Sequence, residues 1–177
     1  MIVYFHGYAS SGVSAKTQAL KINFGASEVL TPSLPVNPNL VENIIDNIAK
    51  GNQGKLLFIG TSLGGFWANY AAQKYNASCV IINPACNPSD SLSKFEAVTD
   101  EMLAGYVHRE CWLLKNTKPE LINLFLAAND EVLNYNQALE HFANARSIIV
   151  TPDGGHRYNE RWSGVVEFIE GLYDRIN

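Results

Sequence analysis

The chain has 177 residues, which is enough for one domain with its own hydrophobic core. Its 13 Lys and Arg residues against 17 Asp and Glu residues give a net charge of −4, which argues against a nucleic-acid binder because such proteins carry a basic surface. Hydrophobic residues make up 47% of the chain, an ordinary globular share, which argues against intrinsic disorder.

The cysteine content and the length of the apolar runs indicate in which cellular compartment the protein is expected. The three cysteines, Cys79, Cys86 and Cys111, cannot form a fully paired disulfide framework, and their spacing matches no zinc-binding pattern. No apolar run approaches the roughly 18 residues that a membrane span needs. Residues 1–5 lack the basic segment of a signal peptide. We therefore expect a cytoplasmic protein with reduced thiols, no membrane span and no metal site.

Short apolar runs alternate with stretches of helical pattern, which is typical of a parallel sheet covered by helices on both faces. The predicted elements are, in chain order, a strand at 2–5, a helix at 14–22, a weak strand at 27–31, a helix from 38, a strand at 55–59, a helix ending at 75, strands at 79–82 and 121–127, a helix at 134–142, a strand at 147–150 and a closing helix around 162–172.

The helix that begins at residue 38 has the clearest local signals. Asn37 is a favoured N-cap residue, and Pro38 suits the first helical position. Five apolar residues follow at helical spacing and predict the buried face: Leu40, Val41, Ile44, Ile45 and Ile48.

Residues 84–120 interrupt the alternation of strands and helices. The segment contains apolar side chains but few strand signals. One interpretation is a pair of helices packed on the core, and the other is that the segment also forms a wall of a pocket. We treat 1–177 as one domain in which 84–120 is an inserted helical segment near the active site.

The motif Gly-Thr-Ser-Leu-Gly at 60–64 is the strongest functional signal. It lies between a predicted strand and a predicted helix, where a sharp turn holds the serine strained with its hydroxyl exposed. Gly60 and Gly64 are needed there because a Cβ atom would collide where the strand and the helix nearly touch. Ser62 is therefore the candidate nucleophile. The alternative is a glycine-rich turn that binds phosphate or nothing, but the chain has neither a G-x-G-x-x-G motif nor a P-loop.

A serine hydroxyl needs a base to take its proton. Of the four histidines, His156 follows the last predicted strand in a turn-rich loop, where parallel sheets place functional groups. We therefore choose His156 as the base. His141 lies inside a predicted helix, and we treat His108 as non-catalytic because it lies in the segment 84–120.

The base in turn needs an acceptor on its far nitrogen, and Asp130 follows the fifth predicted strand. The order Ser62, Asp130, His156 is the chain order of one lineage of catalytic triads. The alternative for Asp130 is a helix N-cap. Glu131 and Asp153 are fallback acids, and we expect Glu131 to point away because neighbours at that turn cannot both face the histidine.

Two backbone N–H groups are expected to bind the oxyanion of the tetrahedral intermediate. One belongs to Leu63, the residue after the nucleophile, and the other to Tyr8 in the turn after the first strand. Gly7 lets the backbone of that turn bend close to the site. For His6 we favour an orienting role within the loop over direct catalysis.

Four stretches of the chain together resemble the α/β-hydrolase superfamily and, over the whole chain, the small bacterial YqiA-type esterases. They are the residues YFHGYASS at 4–11, GTSLGG at 60–65, NDEVL at 129–133 and DGGH at 153–156. The resemblance implies an esterase or thioesterase with Ser62, Asp130 and His156 as nucleophile, acid and base. Its substrates would be small-molecule carboxylic esters, or acyl thioesters such as acyl-CoA, and it would need no cofactor or metal.

The resemblance also implies a three-layer α/β-hydrolase fold with a reduced sheet. The family's usual sheet has eight strands and its oxyanion loop follows the third, whereas here that loop follows the first. We therefore expect six parallel strands in the order 2-1-3-4-5-6, helices on both faces and no large lid.

Two other classes of function remain open from the sequence. One is a peptidase, a C–C hydrolase or a lyase that uses the same three residues, and the other is a non-catalytic binding module with a hydrolase-like fold. The physiological substrate, the acyl chain length and the oligomeric state also remain open.

Overall fold

A single sheet of six parallel strands organises the computed structural model, which describes residues 1–52 and 54–176. The strand order is β2-β1-β3-β4-β5-β6, so the predicted fold class and strand order are confirmed. The strands are β1 Ile2–Phe5, β2 Val29–Leu30, β3 Leu57–Thr61, β4 Ser78–Ile82, β5 Ile122–Ala127 and β6 Ser147–Thr151. Strands β1 and β3 are adjacent, which brings the loops after them to the same edge of the sheet.

Helices cover both faces of this sheet. They are α1 Ala15–Phe24, α2 Pro38–Gly51, α3 Leu63–Tyr75, α4 Pro88–Leu92, α5 Asp100–Asn116, α6 Tyr135–His141 and α7 Trp162–Ile176. Alternate strand residues enter two separate cores because successive side chains point to opposite faces. Val3 and Phe5 pack with α2, α3 and α5, whereas Ile2 and Tyr4 pack with α1 and α7.

Helix α2 begins as predicted, but its buried face is narrower than the sequence pattern indicates. The Asn37 side chain accepts hydrogen bonds from the N–H groups of the first turn, and Pro38 takes the first helical position. Val41 and Ile45 are fully buried, whereas Leu40 is 51% exposed. Leu40 lies at the edge of the stripe, and periodicity alone does not give the width of the buried face.

Two strands, β2 and β3, differ from the prediction by more than one residue at an end. Strand β2 has only two residues because 26–28 form a turn of 3₁₀ helix before it. Strand β3 begins at Leu57 instead of residue 55 because it pairs with β1, whose first residue, Ile2, lies opposite Leu57. Lys55 precedes this register, and its carbonyl oxygen accepts a hydrogen bond from the N-terminal amine of Met1.

The segment 84–120 contains two helices, α4 and α5, followed by a short 3₁₀ turn at Pro119–Leu121. The two helices are joined by Glu110, whose carboxylate accepts hydrogen bonds from the backbone N–H (2.8 Å) and the hydroxyl (2.7 Å) of Ser89. Among the described residues, no helix is long and apolar enough to cross a membrane.

A cluster around Glu42 ties α5 to α2 and α3. Lys74 and the Tyr70 hydroxyl each donate to Glu42 Oε1 at 2.7 Å, and the buried Arg109 guanidinium pairs with Glu42 Oε2. Burial alone would raise the pKa of Glu42, but the hydrogen bonds from Lys74 and Tyr70 and the charge of Arg109 outweigh it and lower the pKa to about 2. The carboxylate is therefore ionised over the whole neutral range and fixes α5 to the core.

Candidate active site

Ser62 occupies a sharp turn between β3, which ends at Thr61, and α3, which begins at Leu63. Its backbone has φ 57° and ψ −124°, a combination that residues other than glycine avoid. Its N–H donates to the Ile82 carbonyl at 3.0 Å, and its carbonyl accepts from the Ala85 N–H at 3.1 Å. The turn is thus held by the end of β4 and the residues after it, and Ser62 stands at the N-terminus of α3.

Two glycines allow the backbone segments around this turn to pass close together. A Cβ atom on Gly60 would lie 1.9 Å from the carbonyl oxygen of Gly64, and a Cβ on Gly64 would lie 2.0 Å from the carbonyl oxygen of Phe5. Either contact is far below van der Waals separation. The turn at Ser62 is therefore compatible only with glycine at 60 and 64. The two glycines support the turn and do not line the cleft.

His156 and Asp130 are directly hydrogen-bonded. His156 Nδ1 lies 2.9 Å from Asp130 Oδ2 and 3.1 Å from Oδ1. The Asp130 side chain is 2% exposed and that of His156 is 14% exposed. The Nδ1 bond leaves Nε2 as the other nitrogen of the ring, and Ser62 and His156 line the same cleft.

Asp130 holds its charge despite being buried. Burial disfavours the carboxylate, but hydrogen bonds from His156 and from the N–H groups of Leu133 (2.9 Å) and Val132 (2.8 Å) outweigh it and lower the pKa of Asp130 below its ordinary value. An ionised Asp130 can stabilise a protonated His156. Helix α6 is capped by Asn134 instead, and Asp130 caps only the short turn that follows it.

The turn after β1 lies against Ser62. A Cβ atom built on Gly7 would lie 3.3 Å from Ser62 Cβ and 3.7 Å from Ser62 Oγ, so the two turns are in contact. Within the described parts of the chain, neither the Tyr8 N–H nor the Leu63 N–H donates to a protein acceptor. Both N–H groups are therefore without a protein acceptor in the part of the chain that the structure describes.

His6 is built into the same turn. Its Nδ1 lies 2.8 Å from the Gly7 carbonyl oxygen, and its Nε2 accepts the Leu34 N–H at 2.9 Å, which makes the ring neutral with its proton on Nδ1. The side chain is buried. His6 therefore orients Gly7 and connects this turn to the loop that precedes α2.

A cleft of about 630 Å³ opens above Ser62 and His156. The segment 84–120 forms part of its wall with Ser91, Leu92, Lys94 and Phe95. The Phe95 ring packs on that of Tyr8, with ring centroids 4.5 Å apart. A second cavity of about 250 Å³ is also lined by residues 6–10, together with Leu34 and Trp67. Among the described residues, no group of three or more His, Cys, Asp and Glu side chains is placed to hold a metal ion.

Comparison with known proteins gives the family. The family model described as "Uncharacterised protein family (UPF0227)" matches residues 1–169. The chain belongs to the UPF0227 family. A UPF0227 protein from Yersinia enterocolitica is 25% identical to it over 173 residues, which cover 90% of this chain and 92% of the relative.

Solved structures similar to this UPF0227 chain share its fold at low sequence identity. Mouse alpha/beta hydrolase domain-containing protein 10 has a TM-score of 0.75 at 14% identity, and the match covers 99% of this chain and 90% of the mouse protein. Est1E from Butyrivibrio proteoclasticus has a TM-score of 0.74 at 14% identity, covering 98% of this chain and 86% of Est1E. The monoacylglycerol lipase of Paleococcus ferrophilus has a TM-score of 0.70 at 14% identity, covering 94% and 92%. The predicted α/β-hydrolase fold is confirmed.

Asn83 is a residue of this UPF0227 site that the sequence did not single out. It follows β4 with a positive φ of 41° and is 1% exposed. Its amide nitrogen donates to the carbonyl oxygens of Gly155 (2.9 Å) and His156 (3.1 Å), and its Oδ1 accepts the Ala127 N–H at 2.9 Å. Asn83 thus fixes the His156 loop to the ends of β4 and β5. The available signal was a polar residue directly after a buried apolar strand.

The two fallback acids take other positions. The expectation that Glu131 points away is wrong, because its carboxylate accepts the backbone N–H of His156 at 2.8 Å, although it does not bind the ring. The exposed Asp153 carboxylate accepts two hydrogen bonds from the Arg161 guanidinium, both at 2.7 Å. The two other histidines, His108 on α5 and His141 on α6, are exposed and lie outside the cleft.

Proposed function

We propose that this protein is a serine hydrolase that cleaves carboxylic esters through an acyl-enzyme, with Ser62, His156 and Asp130 as nucleophile, base and acid. One observation carries the proposal: the hydrogen-bonded His156–Asp130 pair opens into the same cleft as Ser62, which stands strained at a helix N-terminus. A buried carboxylate and an imidazole in this arrangement make a serine hydroxyl nucleophilic.

The reaction follows from these positions. Ser62 Oγ attacks the ester carbonyl carbon while His156 Nε2 takes the hydroxyl proton, and ionised Asp130 stabilises the imidazolium. The carbonyl electrons move to the oxygen, which becomes an oxyanion. When the tetrahedral intermediate collapses, the C–O bond breaks and His156 gives its proton to the departing alkoxide. Water then repeats the sequence on the acyl-enzyme, which releases the acid and regenerates Ser62.

The free N–H groups of Leu63 and Tyr8 are the proposed oxyanion donors. Each such donor contributes about 2.7–4 kcal/mol of transition-state stabilisation. The N-terminus of α3 adds a favourable field at the same place, because the dipole of that helix is positive there. His6 is a positioning residue in this scheme, since it holds the carbonyl group of Gly7.

The names of the solved proteins that share this fold favour an ester over other bonds. Est1E and the Paleococcus ferrophilus lipase share the architecture, although fold alone does not assign an activity. Ester cleavage also makes a smaller demand on the acid than amide cleavage does, because an alkoxide is a better leaving group than an amide nitrogen. Acyl thioesters share the acyl chemistry and belong to the same proposal.

The test is the turnover of para-nitrophenyl esters of graded acyl length by the native protein, Ser62→Ala and Ser93→Ala. Ser93 is an exposed serine whose hydroxyl donates to the Asp90 carbonyl oxygen, so it is a matched control. We expect turnover by the native protein and by Ser93→Ala, and none by a folded Ser62→Ala. The matched para-nitroanilides are expected to react far more slowly. Ester turnover that survives in Ser62→Ala would remove the assignment of the nucleophile.

A further inference from the structure

The cleft above Ser62 has a charge opposite to that of the whole protein. Among the described residues that line it, Lys16, Lys94 and Arg157 are cations, and Glu131 is the one carboxylate. Glu131 is already engaged by the backbone N–H of His156. The chain as a whole has a net charge of −4, so a cationic cleft does not follow from the composition.

Lys16 and Lys94 contact neutral groups. In residues 1–52 and 54–176, none of the three cations lies within ion-pair distance of a carboxylate. Lys16 instead donates to Asn159 Oδ1, and its ammonium lies 5.6 Å from the centre of the Trp162 ring. The Lys94 ammonium lies 5.5 Å from the centre of the Phe95 ring. Their charge is therefore left to act on the cleft.

Lys16 and Arg157 form a pair of like charges on one wall of this cleft. Lys16 is half-buried, and burial together with the nearby charge of Arg157 lowers its pKa. Lys16 also lies in the first turn of α1, where the positive end of the helix dipole disfavours a cation. All three effects oppose the placement of a charged lysine here, and in the absence of a ligand only neutral partners, the Asn159 side chain and the Trp162 ring, offset them.

We propose that the substrate of this site is an ester that carries a second, anionic group, a carboxylate or a phosphate, and that Lys16 and Arg157 bind that group while the ester carbonyl lies at Ser62. The inference rests on the proposed function and adds a substrate class to it. Lys94, on the wall formed by the segment 84–120, extends the cationic surface. Bound anion would relieve the repulsion between Lys16 and Arg157, and the same charges would speed the encounter with an acidic substrate.

The test compares esters that differ only in charge. On the alcohol side the pair is para-carboxyphenyl acetate and para-carbamoylphenyl acetate, and on the acyl side it is the para-nitrophenyl monoesters of adipic acid and of adipamic acid. Para-acetoxyphenyl phosphate distinguishes a phosphate from a carboxylate. Each kcat/KM is divided by the rate of hydroxide-catalysed hydrolysis of the same ester, which removes differences in intrinsic reactivity.

We expect a higher normalised kcat/KM for the anionic member of at least one pair, and a preference that declines as salt is added. Lys16→Gln and Arg157→Gln should each reduce the ratio of anionic to neutral kcat/KM by about fivefold, the upper end for an exposed ion pair. Lys50→Gln, an exposed lysine on α2 outside the cleft, should leave that ratio unchanged.

The outcomes separate this inference from the proposed function. Equal normalised values for both members of both pairs, with turnover that depends on Ser62, would overturn the anionic substrate and leave the esterase intact. If no ester is turned over, the proposed function fails, and calorimetric titration of Ser62→Ala with para-carboxyphenyl acetate and its carbamoyl counterpart still tests the anion site. Tighter binding of the carboxylate, lost in Lys16→Gln, would support the site. Equal binding of the two compounds would overturn it.

Discussion

Replacing Asp130 with asparagine is expected to remove most of the activity while leaving the fold intact. Asp130 Oδ1 accepts the N–H groups of Val132 and Leu133, and the amide oxygen of the introduced side chain can keep both bonds. The amide nitrogen then takes the place of Oδ2, 2.9 Å from His156 Nδ1. A donor at that position requires Nδ1 to accept, so the ring proton moves to Nε2, the nitrogen that accepts the proton of Ser62 in the proposed reaction.

The expected loss in kcat follows from two changes: His156 takes the wrong tautomer, and the negative charge beside its ring is removed. Such a change lowers kcat by about 10⁴-fold, or about 5 kcal/mol of transition-state stabilisation. The matched control is Asp153→Asn, an acid-to-amide change at an exposed position whose carboxylate binds Arg161. It should stay within about twofold of the native kcat, because exposed ion pairs contribute little.

The assay is kcat for a para-nitrophenyl ester at neutral pH, with circular dichroism and a thermal melt to establish that each variant is folded. A folded Asp130→Asn within tenfold of the native kcat would refute the role assigned to this carboxylate. An equal loss in Asp153→Asn would show that the assay responds to any charge change in this part of the molecule.

Three further predictions concern the surroundings of the site. Gly60→Ala should prevent folding or sharply lower Tm, because the new Cβ would lie 1.9 Å from a backbone oxygen. The control Gly164→Ala, in open space on α7, should raise the free energy of unfolding by about 0.5–1 kcal/mol. A normal Tm for Gly60→Ala would contradict the packing described. Asn83→Ala should lower kcat by about 10-fold or more and lower Tm, because the buried Ala127 N–H at the end of β5 and the Gly155 carbonyl of the His156 loop lose their partner. An unchanged kcat would remove its positioning role. Because folding lowers the pKa of Glu42 from its ordinary value of 4.5 to about 2, the ionised carboxylate stabilises the fold at any pH above 4.5. This contribution is lost as the pH falls from 4.5 to about 2. Denaturant titrations should therefore show a loss of stability on acidification that is smaller in Glu42→Gln, and an identical pH dependence in both proteins would disprove it.

The sequence predicted the order of the elements because each carries its own local signal. Strand β1 is four buried apolar residues ended by His6, and α2 carries its cap in Asn37 and Pro38. The start of β3 was misplaced by two residues because register with β1 decides it, and no local pattern contains that information. The exposure of Leu40 has the same origin, since the depth of burial depends on the helix packed beside it.

The candidate catalytic residues were easier to predict from the sequence than the residue that positions their loops. Ser62, Asp130 and His156 follow strands at one edge of the sheet and belong to recognisable chemical types. Asn83 belongs to no motif, and its partners Ala127 and Gly155 lie 44 and 72 residues further along the chain. Such a residue becomes visible only when the fold brings distant loops together.

Intact-mass spectrometry after incubation with a fluorophosphonate tests the central claim most directly, because the reagent labels only a serine that is activated for attack. The experiment compares the native protein with Ser62→Ala and with the control Ser93→Ala. We predict one adduct on the native chain and on Ser93→Ala, and no adduct on Ser62→Ala. A folded native chain that remains unlabelled, or an adduct that persists in Ser62→Ala, would contradict the assignment of Ser62 as the nucleophile of a working triad.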